Sequence, residues 1–284
     1  MKSKLTEQDL VDNVLSLIDE DDEVIILYSG ISSFAHKFGA DAKYTANMIL
    51  DVFQDVCGNK RTLVLPSYSM EFSKNKIFDI KLTKSDTGAL SDCSILRPEM
   101  QRTSQPMQSY TVYGMLKNDL SNLKIQTSWG NKSIMSWLIK NKAKIMVLGV
   151  DWHLSCSILH HAEEVLRVPY RYFKRFSGKL YSKGHYVSEC EEIMYCRPKN
   201  IEPLWDHKQI EKRLRDKKKI LSSENPILSL EATSISSYVN ETYDILYDNP
   251  YAYIKNVEEI KYWVNNIKED EIKSMSKSEF VTNE

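Results

Sequence analysis

Three short apolar runs, each leading into small or turn-forming residues, constrain what this chain can fold into. They are "EVIILYSG" (23–30), "RTLVLPSYS" (61–69), halted by Pro66, and "AKIMVLGVD" (143–151). Runs of this length suit buried strands, each feeding a turn. Between the first two lies "DAKYTANMILDVFQDVCG" (41–58), apolar at helical spacing and closed by Gly58 as a C-cap. Strand, helix, strand in this order marks crossover units over a largely parallel sheet. The fold class is therefore α/β: a central parallel or mixed sheet flanked by helices. In such sheets ligands sit at the carboxyl ends of strands. That rule gathers "YSG", "LPSYS" and "LGVDWHLSCS" on one edge, where the chemistry is expected.

After residue 170 the texture changes. "YRYFKRFSGKLYSKGHYVSECEEIMYCRP" (170–198) alternates and is rich in Tyr and Phe, which predicts antiparallel hairpins. "DHKQIEKRLRDKKKI" (206–220) reads as a charged helix and 227–268 as two further helices, with a frayed polar tail. Residues 1–170 are thus expected to form an α/β core, and residues 171–284 a smaller antiparallel β and helical portion. No linker rich in Pro, Gly or Ser separates them, so one compact unit is expected.

Composition excludes several classes. A net charge of −1 rules out a globally basic nucleic-acid binder. No apolar run approaches the ~18 residues of a membrane span. The beginning of the chain reads as an amphipathic helix rather than a signal peptide. Five cysteines, odd in number and never spaced CxxC, fit reduced thiols in a cytoplasmic protein.

"LGVDWHLSCSILHHAEE" (148–164) holds three of the six histidines. A zinc site is not expected, because His160 and His161 are adjacent and point to different helix faces. No i, i+4 pair is present either. Two readings then stand. One is a plain amphipathic helix with Ile158, Leu159, Ala162 and Leu166 inward. The other is a catalytic row, with Ser157, His160 and Glu163 at i, i+3, i+6 and successive members adjacent on the helix surface. In that row Glu163 orients His160, His160 acts as a base near neutral pH, and the amides at the helix start face an oxyanion.

The segment resembles the signature of the aminoglycoside 3-N-acetyltransferase superfamily, in which Leu-Gly-Val precedes Thr-x-x-His-x-x-Glu. Ser157, His160 and Glu163 stand at the Thr, His and Glu positions. Three further stretches agree in order. "VIILYSGISS" (24–33) is similar to the family's "HSSLS"-type coenzyme A loop, and "TLVLPSYS" (62–69) to its "LVMPTFT"-type strand. "DTGALSDCSILRPEMQRTSQPMQSYTVYG" (86–114) is similar to the segment from "TGALSE" to "RSxHPxxS". The match covers roughly residues 5–170 well.

The resemblance implies acyl transfer from an acyl-CoA co-substrate, acetyl-CoA or 3-hydroxybutyryl-CoA, to a sugar amine, with no metal. His160 is then the base, Glu163 holds its tautomer, and Ser157 donates to the oxyanion or positions the acceptor. An acyl-serine route stays open. Ser29, Ile31, Ser32, Thr87, Gly88 and Arg102 are the implied coenzyme contacts. Tyr68, Gln105, Asp151, Trp152 and His153 are the implied acceptor contacts. The resemblance thus implies that residues 1–170 bind coenzyme and carry the catalytic groups, and that residues 171–284 complete the acceptor site.

Two departures bear on the acceptor. Gln105 replaces the family's histidine before proline and cannot titrate. Asp151 replaces a family glycine, in a loop one residue longer that carries Trp152 and His153. Relatives in this superfamily also acylate dTDP-linked amino sugars, such as 3-amino-3,6-dideoxy-galactose, for surface polysaccharides. "EKRLRDKKKI" (211–220) could face such a diphosphate, or form a solvated helix face. The expected acceptor is a dTDP-amino sugar. An aminoglycoside is the alternative, and a non-catalytic relative that binds coenzyme A a third.

Overall fold

The computed structural model describes residues 5–33, 35–39, 41–155 and 157–281. In chain order the strands are β1 (Val24–Ser29), β2 (Thr62–Pro66), β3 (Ile77–Asp79), β4 (Gln101–Arg102) and β5 (Tyr110–Gly114). After them come β6 (Lys144–Leu148), β7 (Tyr172–Ser182), β8 (His185–Cys196), β9 (Leu221–Ser222) and β10 (Leu230–Ser234). The helices begin with α1 (Glu7–Leu15), α2 (Ala42–Cys57), α3 (Phe72–Asn75), α4 (Ala89–Leu96), α5 (Lys117–Ser121) and α6 (Ile134–Lys140). They continue with α7 (Trp152–Ser155), α8 (Leu159–Val165), α9 (Lys208–Asp216), α10 (Ile235–Asp248), α11 (Val257–Asn266) and α12 (Lys268–Lys273).

The three apolar runs become the centre of a seven-stranded mixed sheet of order β4-β5-β2-β1-β6-β10-β9. β1 pairs in parallel with β2 on one side and β6 on the other. The outer strands β5 and β10 are antiparallel to their inner neighbours. Successive side chains leave opposite faces of a strand, so each run feeds two cores. Val24, Ile26 and Tyr28 of β1 pack with Val64, Ile145 and Val147 on one face. Ile25 and Leu27 pack with Leu63, Leu65, Met146 and Leu148 on the other. Burial on both faces explains why these runs lack polar alternation.

The expected hairpin forms as β7 and β8, paired antiparallel, with β3 added in parallel along β7. Two expectations fail locally. Residues 230–234, read as helix, form β10 and extend the main sheet beside β6. The helix expected to begin near Ser155 or Ser157 starts only at Leu159 as α8, with Ser157 in the turn before it, and the open stretch expected ahead of it holds the short α7. Cys57, Cys93, Cys190 and Cys196 are free thiols, and Cys156 lies outside the described residues. No helix among the described residues is long and apolar enough to cross a membrane.

Candidate active site

Glu163 is fully buried on α8, and three donors converge on its carboxylate. Tyr170 donates to Oε1 at 2.7 Å, while His160 Nδ1 and Arg171 Nη2 meet Oε2 at 2.5 and 2.8 Å. Burial opposes ionisation of Glu163, but Arg171 and His160, with the hydrogen bonds, hold its pKa at about 2. An ionised Glu163 makes Nδ1 the protonated nitrogen of His160, so Nε2 carries the lone pair. Burial lowers the His160 pKa below 6.5; Glu163 opposes the shift and Arg171 reinforces it. The guanidinium passes 3.2 Å from Nδ1. His160 is thus a neutral, oriented imidazole near pH 7, and its ring lies against a large cavity. That is the state a general base needs.

The adjacent histidine differs. His161 turns inward, and its Nδ1 meets the Trp129 carbonyl at 2.6 Å. One imidazole serves the cavity and its neighbour the core, as their different helix faces require. Among the described residues no group of His, Cys, Asp and Glu could hold a metal ion.

Ser157 does not continue the row of His160 and Glu163. Its Oγ lies 2.7 Å from Tyr68 OH and 3.2 Å from Tyr28 OH, and Tyr68 OH meets Tyr110 OH at 2.9 Å. Helical spacing fails here because Ser157 precedes α8. At the start of α8 the His160 and His161 amides donate to the Ser157 and Ile158 carbonyls at 3.0 Å, so these two amides serve the helix rather than an oxyanion.

The cavity, of about 1160 Å³, opens at the carboxyl ends of β1, β2 and β6 and is floored by β7 and β8. Ser29, Tyr68, Thr87, His153, Ser157 and His160 all line it. The other sequence-expected contacts lie elsewhere. Ile31 is packed in the core behind β1, Ser32 is exposed, and Gly88 takes φ 103° just before α4. Arg102 is only 2% exposed; its guanidinium donates to Ser109 Oγ and to the Thr83 and Ser67 carbonyls, so it is spent on the fold. Gln105 lines a separate cavity of about 240 Å³ beside β8, and neither amide atom finds a partner among the described residues. Trp152 is buried against Tyr238, with its indole donating to Glu231, and Asp151 is exposed outside the lining.

The basic run at 211–220 also turns away from the cavity. Arg215 binds Glu211 and Glu231, Lys217 binds Glu241, and none of these cations lines it. The lining cations are instead Lys74, Arg171, Lys174, Arg197 and Lys199. Sequence reasoning missed them, along with Tyr28, Tyr110 and Tyr170. The alternation of 170–196 was the available signal, because it puts Tyr172, Lys174 and Phe176 on one face.

This fold is that of the solved aminoglycoside acetyltransferases. The apoenzyme of AAC(3)-IVa superposes with a TM-score of 0.71 at 17% identity, covering 91% of this chain and 95% of that one. YokD from Bacillus subtilis gives 0.68 at 17% identity, covering 86% and 99%. AAC-IIIb in a binary complex with CoASH gives 0.71 at 14% identity, covering 87% and 97%. Residues 32–241 match the family model described as aminoglycoside 3-N-acetyltransferase, and the chain belongs to that family. No curated protein matches the chain.

Proposed function

We propose that this protein transfers an acetyl or short hydroxyacyl group from an acyl-CoA to the amine of a nucleotide-linked amino sugar, with His160 as base. The observation that carries the reading is the pair His160–Glu163, locked beside a cavity large enough for two substrates. Acyl-CoA, when bound, supplies an activated thioester; the CoASH complex of AAC-IIIb supports that choice. Ser29, Thr87 and Ser91 are small polar residues along one wall, suited to a pantetheine arm.

An amine attacks only with its lone pair free, so Nε2 of His160 takes its proton as the N–C bond forms. The C–S bond breaks, and His160 returns that proton to the departing thiolate. Glu163 fixes the tautomer and offsets the transient imidazolium. Ser157, held by Tyr68 and Tyr28, is the hydroxyl placed to donate to the developing oxyanion. It lacks a bonded base among the described residues, which favours direct attack over an acyl-serine.

Charge bears on the acceptor. Asp86 is the one carboxylate among the described residues lining the cavity, against five Lys and Arg side chains. A polycationic aminoglycoside needs the opposite balance. A sugar carrying phosphates suits these walls. Thiol release should be measured with acetyl-CoA and 3-hydroxybutyryl-CoA against dTDP-amino sugars and aminoglycosides. Higher kcat/KM with the dTDP-sugars is expected. A preference for aminoglycosides would overturn the acceptor reading, and no turnover on any amine would overturn the transferase reading.

A further inference from the structure

We propose that the start of the β7–β8 ladder is a diphosphate seat for the acceptor, built by Lys174, Arg197 and Lys199 around Tyr172. The proposal rests on the reading of the acceptor as a nucleotide-linked sugar.

Side chains two apart on a strand share a face. Tyr172 and Lys174 of β7 both line the cavity, as do their register partners Cys196 and Met194 on β8, so this ladder is a floor. The Tyr172–Cys196 rung is bracketed by cations. Lys174 lies two residues along β7, roughly 7 Å on at the usual strand rise. Arg197 follows Cys196 directly. Lys199 is held close by a shared acceptor, since its amide and the Tyr172 hydroxyl both donate to Glu271 Oε1, at 2.9 and 2.8 Å. Glu271 is itself buried and fixed by the Trp263 indole, so the bracket is built rather than incidental.

The bracket and the base open onto one cavity. Arg171, the residue before Tyr172, approaches His160 Nδ1 to 3.2 Å. Arg171, Tyr172, Lys174, Arg197 and Lys199 line the same cavity as His160. One bound acceptor can therefore meet the base with its amine and the cations with its phosphates. Lys174 and Arg197 currently lean on Glu279 and Glu202, carboxylates outside the lining. A diphosphate takes over the same N–H donors and accepts several at once.

Coenzyme A also carries a diphosphate, so the experiment must separate the two sources. Calorimetric titration of the full chain with dTDP, and separately with CoA, should be run on wild type and on Lys174→Gln/Lys199→Gln. The double variant is expected to weaken dTDP about tenfold or more, the weight of lost charge-assisted hydrogen bonds, with CoA affinity changed less than twofold. Glu279→Gln, which frees the Lys174 ammonium, should tighten dTDP, and this arm holds even if the double variant folds poorly. Loss of CoA affinity instead would assign the cations to the coenzyme and overturn the proposal. Unchanged dTDP affinity in all variants would show a solvated rim and overturn it equally. Wild type that ignores dTDP but acylates a plain amino sugar would overturn the seat and the nucleotide reading, leaving the transferase intact.

Discussion

Replacing Arg171 by methionine tests how the site sets the basicity of His160. The guanidinium is buried, 2.8 Å from Glu163 Oε2 and 3.2 Å from His160 Nδ1. It lowers the His160 pKa by repelling the imidazolium, whereas Glu163 raises it. Removing the cation leaves only the carboxylate, so the imidazolium becomes more favourable. A charge this close in a buried setting moves a pKa by about 1–3 units. The base works only when neutral. The acid limb of kcat/KM should therefore move to higher pH by that amount, against a wild-type limb lying below 6.5. Glu163 loses one partner, which costs about 3–5 kcal/mol for an uncompensated buried charge. Protonation of His160 offsets part of this, so the variant should be relatively more stable at lower pH. Thiol release followed across pH measures the limb, and urea unfolding measures the stability. An acid limb that stays in place or moves lower would refute the reasoning.

Burial pushes the His207 pKa down to about 4, and it lowers His160 and His161 as well. Between about pH 6.5 and 4 these three histidines bind more protons in the unfolded chain than in the folded one, so their contribution to Tm should fall as pH drops through that window. His207→Phe should flatten the decline, since Nε2 has no partner among the described residues to lose; an unaltered slope counts against burial as the cause. Arg102→Ala should cost about 3 kcal/mol or more in urea unfolding, because two buried acceptors and the half-buried Thr83 carbonyl lose their donor. A raised CoA KM at unchanged stability would restore the coenzyme role implied by the resemblance. Reversing Lys217, Lys218 and Lys219 to Glu should leave both substrates' KM values within about twofold, since these cations lie outside the cavity. A clear rise for a dTDP-sugar would contradict that placement.

The central strands were legible because burial on both faces leaves mostly apolar choices at β1, β2 and β6. His160 and Glu163 were legible because both sit on one short helix, where spacing fixes proximity. What completes the site comes from distant elements. Tyr28 and Tyr68 reach Ser157 across 129 and 89 residues of chain, and no local period records such meetings. Arg171 and Tyr170 read as part of an aromatic hairpin until the fold brings them under α8. Trp152 misled because its place in the acceptor loop says nothing of Glu231 on β10, which captures the indole. β10 itself was missed because "LEATS" is too short to reveal its period, and only pairing with β6 defines it. The two readings of the basic run at 211–220 could not be separated from sequence, since its carboxylate partners Glu231 and Glu241 lie on other elements.

Turnover in His160→Ala tests the assignment most directly. The imidazole is a quarter exposed at the cavity wall, so its loss should leave the fold and CoA affinity near wild type. Removing a positioned general base lowers kcat by ~10²–10⁴. Thiol release from acetyl-CoA, measured with a saturating amino-sugar acceptor and alongside CoA titration of the same variant, should show that loss with CoA binding intact. A variant that binds CoA and turns over at close to the wild-type rate would contradict His160 as the base.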